Sequence, residues 1–138
     1  MLAPIPPVTV VAALIQRDGR FLVCQRRRSD SFPLKWEFPG GKVHSGETSE
    51  AALVRELAEE LGVTAQVGAE IYRTRHRYPE SEFEFELIFF AAEIGAATVA
   101  NRAFEQILWA PREALGALDF LEADRKLITL LAQGKLRL

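Results

Sequence analysis

The sequence predicts an α/β sandwich, and three observations carry that prediction. Two runs rich in β-branched and apolar residues, Val8 to Gln16 and Arg20 to Gln25, flank a turn at Arg17, Asp18 and Gly19, which is a hairpin signal. A Glu-rich segment near Ser49 to Leu61 is bracketed by helix start and stop residues. More strand-like runs follow it, and a second helical pattern lies near Leu121 to Gln133. At 138 residues the chain fits one domain, 1–138, with room for a buried core.

Taken in order, the first hairpin leads into a polar loop, Ser29 to Lys35, that contains Pro33. Trp36 to Phe38 reads as a short strand running into Pro39, Gly40 and Gly41. Thr48 or Ser49 supplies an N-cap for the central helix, Glu50 favours the positive end of its dipole, and Gly62 suits the position after its end. Thr64 to Val67 and Glu70 to Arg77 read as strand, Tyr78 to Ser81 as a turn, and Glu82 to Ala92 as a further strand. A four-residue loop there sets Arg77 opposite Glu82, Arg75 opposite Glu84 and Arg73 opposite Glu86, a charged ladder. The other face then carries Tyr72, Thr74 and His76 against Phe83, Phe85 and Leu87. Val99 to Trp109 holds a last strand, followed by helical segments near Pro111 to Leu115 and Leu121 to Gln133.

Composition narrows the function classes. Hydrophobic residues make up 49% and charged residues 26%, an ordinary globular balance. A formal net charge of −2 gives no basic footprint for nucleic acid. The single cysteine, Cys24, has no internal disulfide partner and fits a reducing, cytoplasmic setting. The opening MLAPIPPVTVVAALIQ lacks a basic n-region, and its apolar run is too short to span a bilayer, so neither a targeting signal nor a membrane role is expected.

Chemistry concentrates in Gly41 to Val63, GKVHSGETSEAALVRELAEELGV. On a helix Glu56, Glu59 and Glu60 stand at i, i+3 and i+4, so three carboxylates share one patch and repel one another by about 0.2 to 0.5 kcal/mol per pair. Leu53, Leu57 and Leu61 form a separate apolar stripe that pins the helix to a core. A Glu-rich face is also what a merely solvated helix shows. The rest of the stretch favours a ligand site: Gly40 and Gly41 let a backbone carbonyl turn toward the patch, and Glu47 lies on the same loop. Oxygen donors without nearby His or Cys ligands suit magnesium or manganese, with substrate phosphates completing the shell.

Written as a pattern, Gly41, Glu47, Arg55, Glu56, Leu57, Glu59, Glu60, Gly62 and Val63 resemble the signature box of the Nudix hydrolases without a mismatch. At ordinary residue frequencies its seven fixed positions arise by chance roughly once in 10^8 to 10^9 starting points. Trp36 to Lys42, WEFPGGK, is similar to the approach to the box in the MutT branch, which acts mostly on nucleoside triphosphates. The resemblance implies the Nudix fold, a mixed β-sheet in an α/β/α sandwich. It implies metal binding by Glu56, Glu59 and Glu60 with the Gly40 carbonyl, support from Glu47, an orienting role for Arg55, and Glu56 as the favoured base.

By the same resemblance Arg26, fourteen residues before Gly40, contacts phosphate, although a solvated strand end explains it equally well. Phe38, Tyr78 and Phe83 flank a base, and Asp124 reads it. Oxidised-guanine enzymes have asparagine at that last position. An ionised aspartate offers acceptors only and prefers amino groups, unless burial keeps it protonated. The later strand has Ala103 where many MutT-like enzymes have glutamate, with Glu105 as a substitute of the same strand parity and Asn101 and Arg102 as either polar contacts or loop caps. The expected activity is metal-dependent hydrolysis of a nucleoside triphosphate, normal or damaged, to monophosphate and pyrophosphate, by a monomer or homodimer. A dinucleotide or nucleotide-sugar substrate is the alternative, and a non-catalytic nucleotide-binding module stands third.

Overall fold

A computed structural model of the chain describes residues 6–79 and 81–138. Residues 1–5, part of the segment read for a targeting signal, and Glu80, in the expected turn, lie outside the described residues. The elements are β1 (Val8–Arg17), β2 (Arg20–Gln25), β3 (Trp36–Glu37), β4 (Gly40–Lys42), α1 (Ser49–Leu61), β5 (Gln66–Arg77), β6 (Glu84–Glu93), β7 (Gln106–Pro111) and α2 (Arg125–Ala132). The sheet runs β3-β2-β1-β6-β5, with β4 also paired to β1 and β7 to β2. It is mixed, because β1 and β6 are parallel while the other pairs are antiparallel.

Strand periodicity builds the layers. Val11, Ala13 and Ile15 of β1 and Ile88 and Phe90 of β6 share a core with Ala52, Leu53, Leu57 and Leu61 of α1. The intervening Ala12, Leu14, Leu87 and Phe89 face a second core with Leu115, Leu127, Ile128 and Leu131. Side chains of successive residues leave opposite faces of a strand, so one continuous apolar run feeds both layers. The expected α/β/α sandwich is therefore present.

The central helix has its expected bounds. Thr48 Oγ1 accepts from Ala51 N at 3.1 Å, and Gly62 ends the helix at φ 65°, its N–H donating to the Ala58 carbonyl. A loop then covers the remaining carbonyls: Ala100 N donates to Leu61 O at 2.9 Å and Arg102 N to Glu60 O at 3.0 Å. Helix ends leave such acceptors orphaned unless something meets them. At the first hairpin, Asp18 and Gly19 both take positive φ, 53° and 76°, the geometry of a type I′ turn.

Several expectations are corrected. Gly40–Lys42 is a strand, not a simple bend: β4 pairs with Val10, Val11 and Ala12. The two segments expected on either side of residue 68 are one strand, β5, with register irregularities around Glu70. In the second hairpin Arg75 stands opposite Glu86 and Arg77 opposite Glu84, two residues from the expected register, because the connecting loop spans 78–83. An even slip preserves parity, so the charged face survives: Arg75 reaches Glu84 at 3.1 Å and Arg73 reaches Glu86 at 3.3 Å. The last strand is confined to β7. The helical segment after Pro111 is a 3₁₀ turn, Arg112–Ala117, and a second 3₁₀ turn, Glu122–Asp124, precedes α2.

Because Thr48 satisfies a donor that the helix cannot, T48A is expected to cost about 1 kcal/mol of stability in chemical denaturation.

Candidate active site

Two glycines bring the central helix and the sheet together. A Cβ at Gly40 would fall on the Val11 carbonyl, and one at Gly41 would fall on the Glu56 carboxylate. Only a bare backbone lets β4 pass between β1 and the acidic face of α1.

Arg55 organises that face. Its Nε donates to Glu47 Oε2 at 2.7 Å and its Nη2 to Glu47 Oε1 at 2.9 Å, a bidentate fork. Nη1 donates to Glu56 Oε1 at 3.0 Å and to Glu59 Oε2 at 3.4 Å, and Nη2 also reaches the Lys42 carbonyl at 3.1 Å. One guanidinium thus joins β4, the loop before the helix and the helix face. The Arg55 hydrogen bonds, with a further one from His44 N, hold the Glu47 carboxyl down at about 2, while the glutamates raise the Arg55 pKa.

Glu60 has a different environment. It is turned toward the sheet, where Oε1 accepts from Gly40 N at 3.2 Å. Burial, reinforced by the charges of Glu56 and Glu37, pushes its carboxyl up to about 8. Glu37, on β3, pairs with Arg26 Nη1 at 3.1 Å, yet burial outweighs that attraction and raises its pKa. Arg26 also donates through Nε to Ser31 O at 2.7 Å and through Nη2 to Ser31 Oγ at 3.0 Å. It is therefore a fastened residue on the pocket wall and not a solvated strand end.

Among the described residues no three His, Cys, Asp or Glu side chains are set as a ready metal cluster. The shared patch expected of Glu56, Glu59 and Glu60 is divided: Arg55 draws the first two, and Gly40 N holds the third. Mutual repulsion among the carboxylates favours that division. The donor set still fits a hard divalent ion. Glu56, Glu59 and Glu60 are carboxylates on one helix, the glycine backbone leaves space beside Glu56, and Glu47 is kept ionised.

Beside this face lies a cavity of about 310 Å³, the size of a small-molecule site. Arg26, Phe38, Gly40, Glu60, Tyr78 and Asp124 all line it. Phe38 is 3% exposed and meets Phe89 edge-on with ring centroids 6.2 Å apart. Phe83 is a correction: it is 42% exposed and outside the lining, and Phe85 occupies the pocket-facing row. The longer hairpin loop leaves Phe83 before the strand begins, so the ladder starts two residues later.

Asp124 is 3% exposed, precedes α2 and makes no capping hydrogen bond. Burial, with a smaller contribution from Glu37, pushes its carboxyl up to about 8, so it carries a proton at neutral pH. Glu37, Phe32 and Phe85 also line the cavity and were not among the sequence candidates. Glu37 lies within the quoted WEFPGGK run, but only coordinates show it against Arg26. Asn101 caps its loop through Phe104 N at 2.9 Å, and Glu105 is exposed and outside the cavity.

A family model described as the NUDIX domain matches residues 5–131. The 8-oxo-dGTP diphosphatase of Haemophilus influenzae is 37% identical over 123 residues, covering 88% of each chain. The CTP pyrophosphohydrolase of Escherichia coli is 38% identical over 109 residues, 78% of this chain and 79% of that one. Among solved structures, the MutT protein of Methanosarcina mazei is alike in fold, with a TM-score of 0.77 at 24% identity over 94% of this chain and 95% of that chain.

The Asp124 carboxyl has a testable consequence. Its pKa of about 8 lies above the ordinary 3.8, so between those values the unfolded chain ionises while the folded protein keeps its proton. This contribution to stability is complete below the lower value and is lost as pH rises through the upper one. D124N cannot ionise. The Tm of the wild type relative to D124N is expected to fall by about 5 °C or more across that window, measured by thermal denaturation at a series of pH values.

Proposed function

The chain belongs to the NUDIX family as a MutT-like hydrolase of phosphoanhydride bonds, and on that premise we propose that it hydrolyses a nucleoside triphosphate to the monophosphate and pyrophosphate with magnesium or manganese. The observation that carries this reading is the Arg55-ordered acidic helix face beside a cavity lined by Phe38, Tyr78, Arg26 and Asp124. We take the chain as one catalytic domain, 1–138, working as a monomer or homodimer. Among the described residues no helix is long and apolar enough to cross a membrane. A single buried thiol, Cys24, suits a reducing cytoplasm.

A phosphoanhydride is protected by its own negative charge. Glu56, Glu59 and Glu60, with the Gly40 carbonyl, would hold the divalent ion, which would supply charge neutralisation and Lewis acidity. Glu56, partly buried and anchored by Arg55, takes the proton from the attacking water. Arg55 fixes its direction, and Glu47 fixes Arg55. Arg26 on the cavity wall presents a guanidinium to the phosphates. A protonated Asp124 offers one O–H donor and an acceptor oxygen to the base edge, a broader pairing than an ionised carboxylate allows.

Product release from a panel of normal and oxidised nucleoside triphosphates, dinucleotides and nucleotide sugars, with magnesium, manganese or chelator, tests the reading. Pyrophosphate should appear from a triphosphate only with metal; turnover confined to diphosphate-linked compounds would replace the substrate class. E59Q and E60Q should each lower turnover more than about 100-fold, beyond the usual loss for an outer partner of a metal site. R55K keeps the charge but cannot make the fork, and its expected loss is about 10- to 100-fold, read from activity across a metal titration.

A further inference from the structure

We propose that Phe32 is a base-stacking residue that forms, with Tyr78, the wall of the pocket that discriminates among bases. The proposal rests on the nucleotide reading above and deepens it.

Placement is the first support. Phe32 is the aromatic that the β2–β3 connection contributes to the cavity, and its ring lies 4.5 Å from that of Tyr78, tilted by 43°. Tyr78 is braced in turn by His76 at 4.4 Å and Phe85 at 6.1 Å. Phe32 and Tyr78 also border a neighbouring hollow lined by Lys35 and Arg125, so the pair stands between the pocket and the outer surface.

Backbone conformation is the second. Phe32 has φ 51° and Leu34 φ 63°, on either side of Pro33. A bulky residue in the left-handed region is strained and persists only where its surroundings hold it. The segment around it is otherwise polar, Arg26 to Ser31 reading RRRSDS, so an inward-turned aromatic is not explained by burying the loop itself.

What holds the conformation is the third. Arg26 grips the residue before Phe32 through Ser31 O and Oγ, and backbone bonds from Leu34 N to Arg26 O at 3.1 Å and from Arg26 N to Lys35 O at 2.8 Å close the loop. The same guanidinium pairs with Glu37 in the cavity. The ring is thus fixed to the pocket by a residue of the pocket. A flat aromatic so held provides a face for any base, with selectivity set by the width of the gap and by Asp124 at the edge.

Equilibrium binding of a nucleoside monophosphate and of ribose 5-phosphate, which lacks the base, tests the assignment by calorimetry. F32A and F32L should weaken nucleotide binding by about 5- to 150-fold, F32Y should restore it, and ribose 5-phosphate should bind all four proteins alike. F32L keeps apolar bulk against Tyr78 without a flat face, so it reports on stacking even where F32A disturbs the fold. Unchanged nucleotide binding in F32L, or equal losses for both ligands, overturns the proposal. A wild type that hydrolyses no nucleoside triphosphate overturns the reading beneath it, whereas a competent wild type with an indifferent F32L overturns the role of Phe32 alone.

Discussion

The bidentate pair between Arg55 and Glu47 is the interaction on which the site depends. It ties a helix to the loop that precedes it, and the same guanidinium carries the Lys42 carbonyl and the edges of Glu56 and Glu59. Four acidic residues, Glu47 on the approach and Glu56, Glu59 and Glu60 in the C-terminal half of the helix, share one guanidinium's neighbourhood, an arrangement that Coulomb repulsion opposes. The Arg55 guanidinium among them offsets part of that repulsion and gives Glu47, Glu56 and Glu59 a direction, while Gly40 N holds Glu60. The glycines make the arrangement sterically possible, since Gly41 leaves room for Glu56 where any side chain would intrude.

The carboxyls then divide into two electrostatic environments. Glu47, hydrogen-bonded by a guanidinium and a backbone N–H, is held ionised. Glu60, Glu37 and Asp124 line the cavity and are pushed the other way, chiefly by burial. Ionised carboxylate is thereby kept beside Arg55, while burial disfavours charge along the cavity wall. The aromatic lining of Phe38, Tyr78 and Phe85 continues that gradient from the helix face into the pocket.

How much of this was legible in the sequence depended on the range of the interaction that fixes each feature. Helix α1 was readable to the residue because its cap, its apolar stripe and its terminating glycine are all local. The type I′ hairpin was readable for the same reason. The β5–β6 register was not, because the length of the 78–83 loop is set by where β6 begins to pair and not by turn residues alone. That slip moved Phe83 out of the pocket and brought Phe85 in. β4 was hidden because a glycine-rich strand has no side-chain alternation to display. Glu37 and Phe32 emerge only when β3 and the β2–β3 loop are folded against the same cavity as Asp124, far along the chain.

Direct cation binding tests the central claim most plainly, because it asks whether the Arg55-ordered face is a metal site apart from any turnover. Manganese titrated into the wild type and into E56Q, with free ion counted by electron paramagnetic resonance, gives the answer in one experiment. Uptake by the wild type that is largely lost in a folded E56Q is the expected result. Equal uptake by the two proteins, or none by the wild type with or without nucleotide, would contradict it.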